Sequence, residues 1–307
     1  MEKLLELQSE FTKKIIGVYG QRGVDFLTNL ETIISSYEQR WHLKIHPPYE
    51  LSYNYVAPAT RKDGAELAIK IGVPNPSFTM EYKTLRMLAS PSVVKVVDED
   101  VANGVLLLEK IKPGNTLATV KDDVVATIIA SKVMAKLWRP LPSHNHLNLP
   151  TMKDREKSLE SIVQANKNGC GPISKKILAE ALTLFKQLHR TINQQYILHG
   201  DLHHYNILQS GHNEWKIIDP KGLVGDREYD VIQFLLNKLP YENKFSILDR
   251  RINILVEQLG LNKERILGWG FAHSVLSTCW SVEEGSLDEN FFHSIGVFQQ
   301  LIKKERG

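Results

Sequence analysis

Cysteine is almost missing from this chain: two in 307 residues, Cys170 and Cys279. They lie far apart in no metal-ligand spacing, which speaks against a disulfide framework or a thiolate metal site and makes reduced thiols the default. Long apolar runs are missing too. No stretch approaches the roughly 20 residues of a membrane span, and the opening MEKLLELQSEFTKK lacks the apolar core and small-residue cleavage site of a secretory signal, so a cytoplasmic chain is expected. Nor does one sign of charge dominate. Lys and Arg number 38 against 35 Asp and Glu, a formal +3, too little and too scattered to argue for nucleic acid. No internal repeat or low-complexity segment is visible. Of the 11 histidines, His144/His146 and His203/His204 pair up in separate loops without a companion cysteine and read as loop residues. What is present is ordinary: 42% hydrophobic and 24% charged residues, a globular composition with length enough for one large domain or two lobes. A monomer or weak dimer is expected.

Against that background LHGDLHHYNIL (198–208) stands out, together with WKIIDPKG (215–222). The connecting SGHNE has the Gly and Asn that close a β-hairpin, so the two runs should pair and bring Asn206 beside Asp219. Asp201 sits just upstream, in a bend made by Gly200. Two carboxylates and a carboxamide then converge, the oxygen-rich set that Mg²⁺ and a nearby hydroxyl nucleophile require. Plain turn residues are the other reading of Asp201 and Asn206, but H-G-D-x4-N followed by a strand ending in Ile-Asp is hard to meet by accident. HGDLHHYN with IIDPKG resembles the catalytic and metal loops of the aminoglycoside phosphotransferase group, relatives of the protein kinases. The resemblance implies that Asp201 orients or deprotonates the acceptor hydroxyl, while Asn206 and Asp219 hold Mg²⁺ on a nucleoside triphosphate.

In the N-terminal part, Leu4, Leu7, Phe11, Ile15 and Val18 mark an amphipathic helix over 2–18, and a similar pattern marks a second over 22–38. LSYNYVAP reads as a strand, Pro58 to Gly64 as a turn and AELAIKI as a further strand, with Leu67, Ile69 and Ile71 on one face and Ala68 and Lys70 on the other. The helix after Asn75-Pro76 carries the stripe Phe78, Glu81, Leu85, Leu88. A glutamate inside an apolar stripe needs a cation or a raised pKa, and Lys70 is the nearest candidate, unless Glu81 simply lies on a solvated edge. The pair resembles the strand lysine and helix glutamate with which kinases hold the α- and β-phosphates, and that likeness implies Ala68 over the adenine. Strands at 92–98 and 104–111 complete an antiparallel sheet of about five. By the same resemblance the second of them leads into the interlobe hinge, where backbone groups of Glu109, Lys110 and Ile111 bond adenine. Such a hinge does not distinguish ATP from GTP.

From Asp122 the pattern turns helical, with Val125, Ile128, Ile129, Val133 and Leu137 marking 122–138, and further helices at 153–167, 173–194, 228–239, 244–259, 263–281 and 288–304. The fold class expected is therefore α+β, a bilobal protein-kinase-like fold. Residues 1–111 form a nucleotide-binding lobe of two leading helices plus an antiparallel sheet, and 112–307 form a mainly helical lobe.

The resemblance has gaps. No G-x-G-x-x-G lies in the first hairpin, where LSYNYVAPATRKDG offers only Gly64, which leaves backbone near Ser52 to Tyr55 to cover the phosphates. The stretch from Asp219 to Asp230 is too short for an activation loop and no A-P-E follows, so a protein substrate is not expected. VGDREYDVIQFLLN, LSYNYV and STCWSVEEG look most like the streptomycin kinases of the aminoglycoside and hydroxyurea resistance kinase family, with Glu284 where that family usually has Asp. The likeness implies a small hydroxyl acceptor such as a cationic aminocyclitol sugar. Asp201, Asp226, Trp280, Glu283 and Glu284 are expected to form an acidic acceptor pocket; a merely solvated cluster is the alternative, and the HNH loop at 144–146 the next place to look. Asp230 reads as a residue that caps the helix beginning there. Other readings remain: a kinase for a metabolite alcohol or amino sugar such as choline, homoserine or a sugar amine, or a nucleotide-binding module without catalysis.

Overall fold

The computed structural model describes residues 9–141, 148–240 and 242–307. Leu4 and Leu7 of the first expected helix, and His144 and His146, lie outside them. The chain divides into two compact units, one running to Gly114 and one from Asn115.

The first unit opens with helices α1 (Ser9–Tyr19) and α2 (Gln21–Arg40). They cross so closely at Gly23 that a Cβ there would lie 2.5 Å from the Ile15 carbonyl oxygen. That crossing ends the buried stripe of α1: Phe11 and Ile15 are buried, whereas Val18, expected in the stripe, is 58% exposed. The sheet comprises β1 (Leu43–Ile45), β2 (Tyr55–Arg61), β3 (Glu66–Ile71), β4 (Val96–Asp100) and β5 (Val105–Glu109), with helix α3 (Pro76–Met87) between β3 and β4. Its order is β1-β2-β3-β5-β4 and every pairing is antiparallel.

One expectation fails here, and one strand, β1, had no sequence signal: β2 runs through Pro58, which was expected to start a turn. Proline is tolerated because its carbonyl accepts from His46 N–H at 2.8 Å on the β1 side, so its missing donor faces the same way and the ladder to β3 is intact. The alternation in β3 works as read: Leu67, Ile69 and Ile71 join Phe26, Leu30 and Tyr55 in one apolar cluster beneath the leading helices, leaving Ala68 and Lys70 on the opposite face.

The second unit contains α4 (Asp123–Met134), β6 (Arg139–Pro140), α5 (Met152–Ala165), β7 (Gly169–Cys170), β8 (Ile173–Ser174), α6 (Lys175–Arg190), β9 (Tyr196–Leu198), β10 (Ile207–Gln209), β11 (Trp215–Ile217), β12 (Leu223–Gly225), α7 (Arg227–Asp230), α8 (Ile232–Leu236), α9 (Lys244–Leu259), α10 (Lys263–Glu283) and α11 (Glu289–Arg306). Asp122 caps α4 by accepting from the amides of Val124 and Val125 at 2.8 and 3.1 Å. The buried face of α4 holds Ala126, Ala130 and Val133; of the expected stripe Val133 and Leu137 are buried, Ile128 and Ile129 half-buried, and Val125 is 45% exposed. The centre of α10 is buried all round. Gly270 is required there, because a Cβ would fall 2.2 Å from the ring of Phe298 on α11. The helix expected over 228–239 is broken into α7 and α8 by a tight turn at Val231.

Candidate active site

Residues 199–201 leave β9, which pairs with β12 in the register Leu198 to Leu223. Gly200 has φ 80, a left-handed bend that side-chain-bearing residues adopt only at a cost. The bend turns two successive amides toward one carboxylate: Asp230 Oδ2 accepts from His199 N–H at 3.1 Å and Oδ1 from Gly200 N–H at 2.8 Å. Trp138 Nε1 donates to Oδ2 at 2.9 Å. Asp230, 3% exposed, is thus held by donors that carry no charge, and it braces the H-G-D loop. The expectation that it caps a helix is corrected, since it closes α7 rather than opening a helix.

His199 adds a second brace. Its Nδ1 accepts from Asp201 N–H at 3.1 Å, which fixes the proton on Nε2, and Nε2 donates to the Ile218 carbonyl at 2.9 Å. Burial pushes the imidazole below its ordinary pKa, with Asp230 pulling the other way, so a neutral ring ties the loop to Ile218, the residue before Asp219.

The hairpin pairs as the sequence implied. Ile207 lies opposite Ile217, and Ile218 N–H donates to Asn206 O at 3.0 Å, which puts Asn206 and Asp219 at the same end of the ladder. Asn206 Nδ2 donates to the Asp201 carbonyl at 2.9 Å; that orients the carboxamide and leaves Oδ1 as its acceptor. Asp219 has φ 57. A non-glycine residue held there is strained by about 1–3 kcal/mol, a feature that clusters at functional sites.

Among the described residues no group of three or more His, Cys, Asp or Glu could hold a metal. Two oxygen ligands, Asn206 and Asp219, fit Mg²⁺ nonetheless, because that ion keeps water and takes the rest of its shell from phosphate. The Asp201 carboxylate has basic neighbours: Oδ2 lies 2.8 Å from Lys221 Nζ and 4.0 Å from His203 Nε2. Lys221 went unnoticed in the sequence although it sits two residues past Asp219.

In the first unit, Lys70 Nζ donates to Glu81 Oε1 at 2.7 Å, and the two residues are 2% and 9% exposed. Asn75 caps α3 by accepting from Phe78 N–H at 3.1 Å, which sets the phase that turns Glu81 inward. Ala68 is on the same face of β3 as Lys70. The hinge expectation needs one correction: Glu109 N–H donates to Lys95 O at 3.0 Å and its Oε1 accepts from Lys95 N–H at 2.8 Å, so the Glu109 amide is committed within the sheet. Lys110 is paired with Glu66 at 3.2 Å. Ile111 follows the strand in irregular backbone.

Two residues expected in the acidic acceptor pocket, Asp226 and Trp280, have partners within the fold. Asp226 is 6% exposed and accepts from Arg265 Nε and Trp269 Nε1, each at 2.8 Å. Burial raises its pKa, but hydrogen bonds from Glu228, Trp269 and Arg265 outweigh that and hold it below the usual range. Its neighbour Glu228 is pushed up to about 7 by burial and by Asp226. The guanidinium of Arg265 also reaches Thr191 Oγ1 and the Leu188 carbonyl at 2.8 and 2.9 Å, so Arg265, held by Asp226, locks α10 to the end of α6. Trp280 donates from Nε1 to Ser158 Oγ at 3.0 Å, and Arg155 lies 4.8 Å above its ring; the face expected to take an ammonium carries a cation of the chain itself. Glu283 and Glu284 are exposed where α10 ends, and Asp288 caps α11 through the amides of Asn290 and Phe291.

The architecture is the protein-kinase-like α+β fold. It superposes on choline kinase LicA from Streptococcus pneumoniae with a TM-score of 0.61 at 16% identity, covering 89% of this chain and 99% of that one. A thermostable variant of aminoglycoside phosphotransferase APH(4)-Ia, in ternary complex with ADP and hygromycin B, gives a TM-score of 0.63 at 12% identity, covering 89% and 98%. At such identities the likeness carries the fold alone. The sequence goes further. Residues 41–285 match the aminoglycoside/hydroxyurea antibiotic resistance kinase family, and the chain belongs to it. It is 25% identical over 291 residues to streptomycin 6-kinase of Streptomyces glaucescens, covering 92% of this chain and 93% of the relative. Hydroxyurea phosphotransferase of Kitasatospora aureofaciens is 24% identical over 287 residues, covering 92% and 82%. The chain is a phosphotransferase with a hydroxyl acceptor.

Proposed function

We propose that the chain is an ATP- and Mg²⁺-dependent O-phosphotransferase for a small molecule, in the first place an aminoglycoside of the streptomycin type, and that it confers resistance by phosphorylating it. The observation that carries this is the double brace on the H-G-D loop, with Asp230 below and His199 across, which presents the Asp201 carboxylate while Asn206 and Asp219 stand together at the hairpin end. Asp201 accepts the proton of the acceptor hydroxyl, which raises its nucleophilicity as transfer proceeds. Asn206 and Asp219 would hold the metal, which supplies charge neutralisation at the triphosphate. The Lys70 ammonium, kept in place by Glu81, binds phosphate, and Ala68 gives the adenine a flat surface. The reaction is placed in the cytoplasm, where ATP is; no helix among the described residues is long and apolar enough to cross a membrane.

A second reading concerns the acceptor. Arg155 on the Trp280 ring, and Asp226 spent on Arg265, remove two of the features that argued for a cationic sugar. An uncharged acceptor fits that surface better, and one full-length relative is named for hydroxyurea. The deciding experiment is nucleotide turnover measured against streptomycin, other aminoglycosides, hydroxyurea, choline and homoserine, with and without Mg²⁺. Acceptor-dependent release of ADP that requires Mg²⁺ is expected for one class. Nucleotide binding without turnover on any acceptor would instead favour a binding module.

A further inference from the structure

We propose that Lys221 is a catalytic residue: the cation that faces the phosphoryl group in transit and balances its charge as Asp201 takes up the proton. The proposal rests on the phosphotransferase reading above and adds a group to it.

Backbone pairing fixes the position of Lys221. Gly222 N–H donates to His199 O at 2.9 Å, and β12 then pairs with β9 from Leu223 onward, so residues 220–222 run beside the H-G-D loop. The chain next to Lys221 is therefore as firmly placed as the loop itself. From there its Nζ reaches Asp201 Oδ2 at 2.8 Å, while its side chain is 67% exposed. A lysine serving only the fold would be expected to cover more of its stem. His203 is the other basic group beside Asp201, but its Nε2 lies 4.0 Å away, beyond hydrogen-bond reach. The cation in direct contact with Asp201 is Lys221.

A hydroxyl that gives its proton to Asp201 bonds the same carboxylate that Lys221 bonds, so the acceptor oxygen and the ammonium are neighbours. In transfer, the acceptor oxygen bonds to the γ-phosphorus. The bond from that phosphorus to the bridging oxygen breaks, its electron pair leaves with ADP, and the hydroxyl proton goes to Asp201. Asp201 becomes neutral at that moment. Lys221 then loses its counter-charge just where the equatorial phosphoryl oxygens carry theirs, and an ammonium aimed at charge that develops only in transfer stabilises the transition state more than the ground state.

The test uses the full chain and needs no acceptor. Affinity for Mg·ADP is measured with and without aluminium fluoride, which mimics the phosphoryl group in transit, for wild type, Lys221→Ala and Lys221→Arg. An exposed side chain makes the alanine variant foldable, and its thermal midpoint checks that. In wild type, fluoride should tighten ADP binding by at least about tenfold, as transition-state mimics bind far tighter than substrates. Lys221→Ala should lose that gain with ADP alone bound within about threefold of wild type, and Lys221→Arg should keep part of it, since a charge-assisted contact survives the exchange. A gain retained in Lys221→Ala overturns the proposal and leaves the phosphotransferase reading standing. A wild-type chain that binds no nucleotide, or gains nothing from fluoride, sinks that reading and this proposal with it.

Discussion

Two buried carboxylates, one in each unit, hold the residues on which the proposed chemistry depends, and they do it in different ways. Glu81 meets the cation Lys70 at 2.7 Å. Asp230 meets no cation among its described partners and is satisfied by two backbone amides and an indole N–H. An ion pair fixes a side chain that must itself carry charge to a ligand. A carboxylate bonded to backbone amides instead fixes the path of the main chain, and so fixes where the next side chain, Asp201, can stand. The difference follows from what each unit supplies, a charge in one case and a position in the other.

Breaking the second arrangement should cost the most. Asp230→Ala leaves His199 N–H, Gly200 N–H and Trp138 Nε1 without their acceptor, and at about 1–3 kcal/mol for each buried unsatisfied donor the loss of stability should reach about 3 kcal/mol or more. Urea unfolding measures it, and an effect under about 1 kcal/mol would mean that water or another group takes over. Breaking the first should cost nearly as much. Glu81→Ala or Lys70→Ala leaves one charge buried, worth about 3–5 kcal/mol, but the double variant should fall short of the summed singles by about 1–3 kcal/mol. Strict additivity would separate the two residues and remove the pairing on which the proposed phosphate binding by Lys70 rests.

A third carboxylate sharpens the comparison with a smaller effect. Glu228 is pushed up from 4.5 to about 7, first by burial and then by the hydrogen bond and charge of Asp226. Between those values the folded chain binds the proton that the unfolded chain has released, so this residue's contribution is full below about pH 4.5 and is lost as pH rises through about 7. Glu228→Gln should therefore gain stability relative to wild type between pH 5 and pH 8, by at least about 1 kcal/mol, since one unit of pKa is worth about 1.4 kcal/mol. Parallel stability curves for the two proteins would show that Glu228 does not titrate in this range.

What the sequence showed and what it hid divide along the same line. Lys70 and Glu81 were legible because both partners are side chains on elements with a clear period, and Asn75-Pro76 marks the phase of α3. Asn206 and Asp219 were legible because a short connection and two alternating strands fix the register. The brace by Asp230 was hidden, since backbone donors leave no residue type to read, and the same reason hid the commitment of the Glu109 amide to Lys95. Asp226 was misplaced because its partners Arg265 and Trp269 lie a whole helix further on, and nothing local tells a spent carboxylate from an open one. Trp280 was read with the acids that follow it in sequence, while Arg155 and Ser158, from α5, are what it meets. Lys221 was in plain view but lay in the shadow of Asp219.

The central claim is that the braces exist to present one carboxylate that takes the acceptor proton. The most direct test replaces Asp201 with asparagine, which keeps its size and its backbone bonds to His199 and Asn206, and compares turnover on the best acceptor with affinity for Mg·ATP. Turnover should fall by about 10²–10⁴, the range for losing a general base, with nucleotide affinity within about threefold of wild type. Turnover at the wild-type rate in Asp201→Asn would contradict the account.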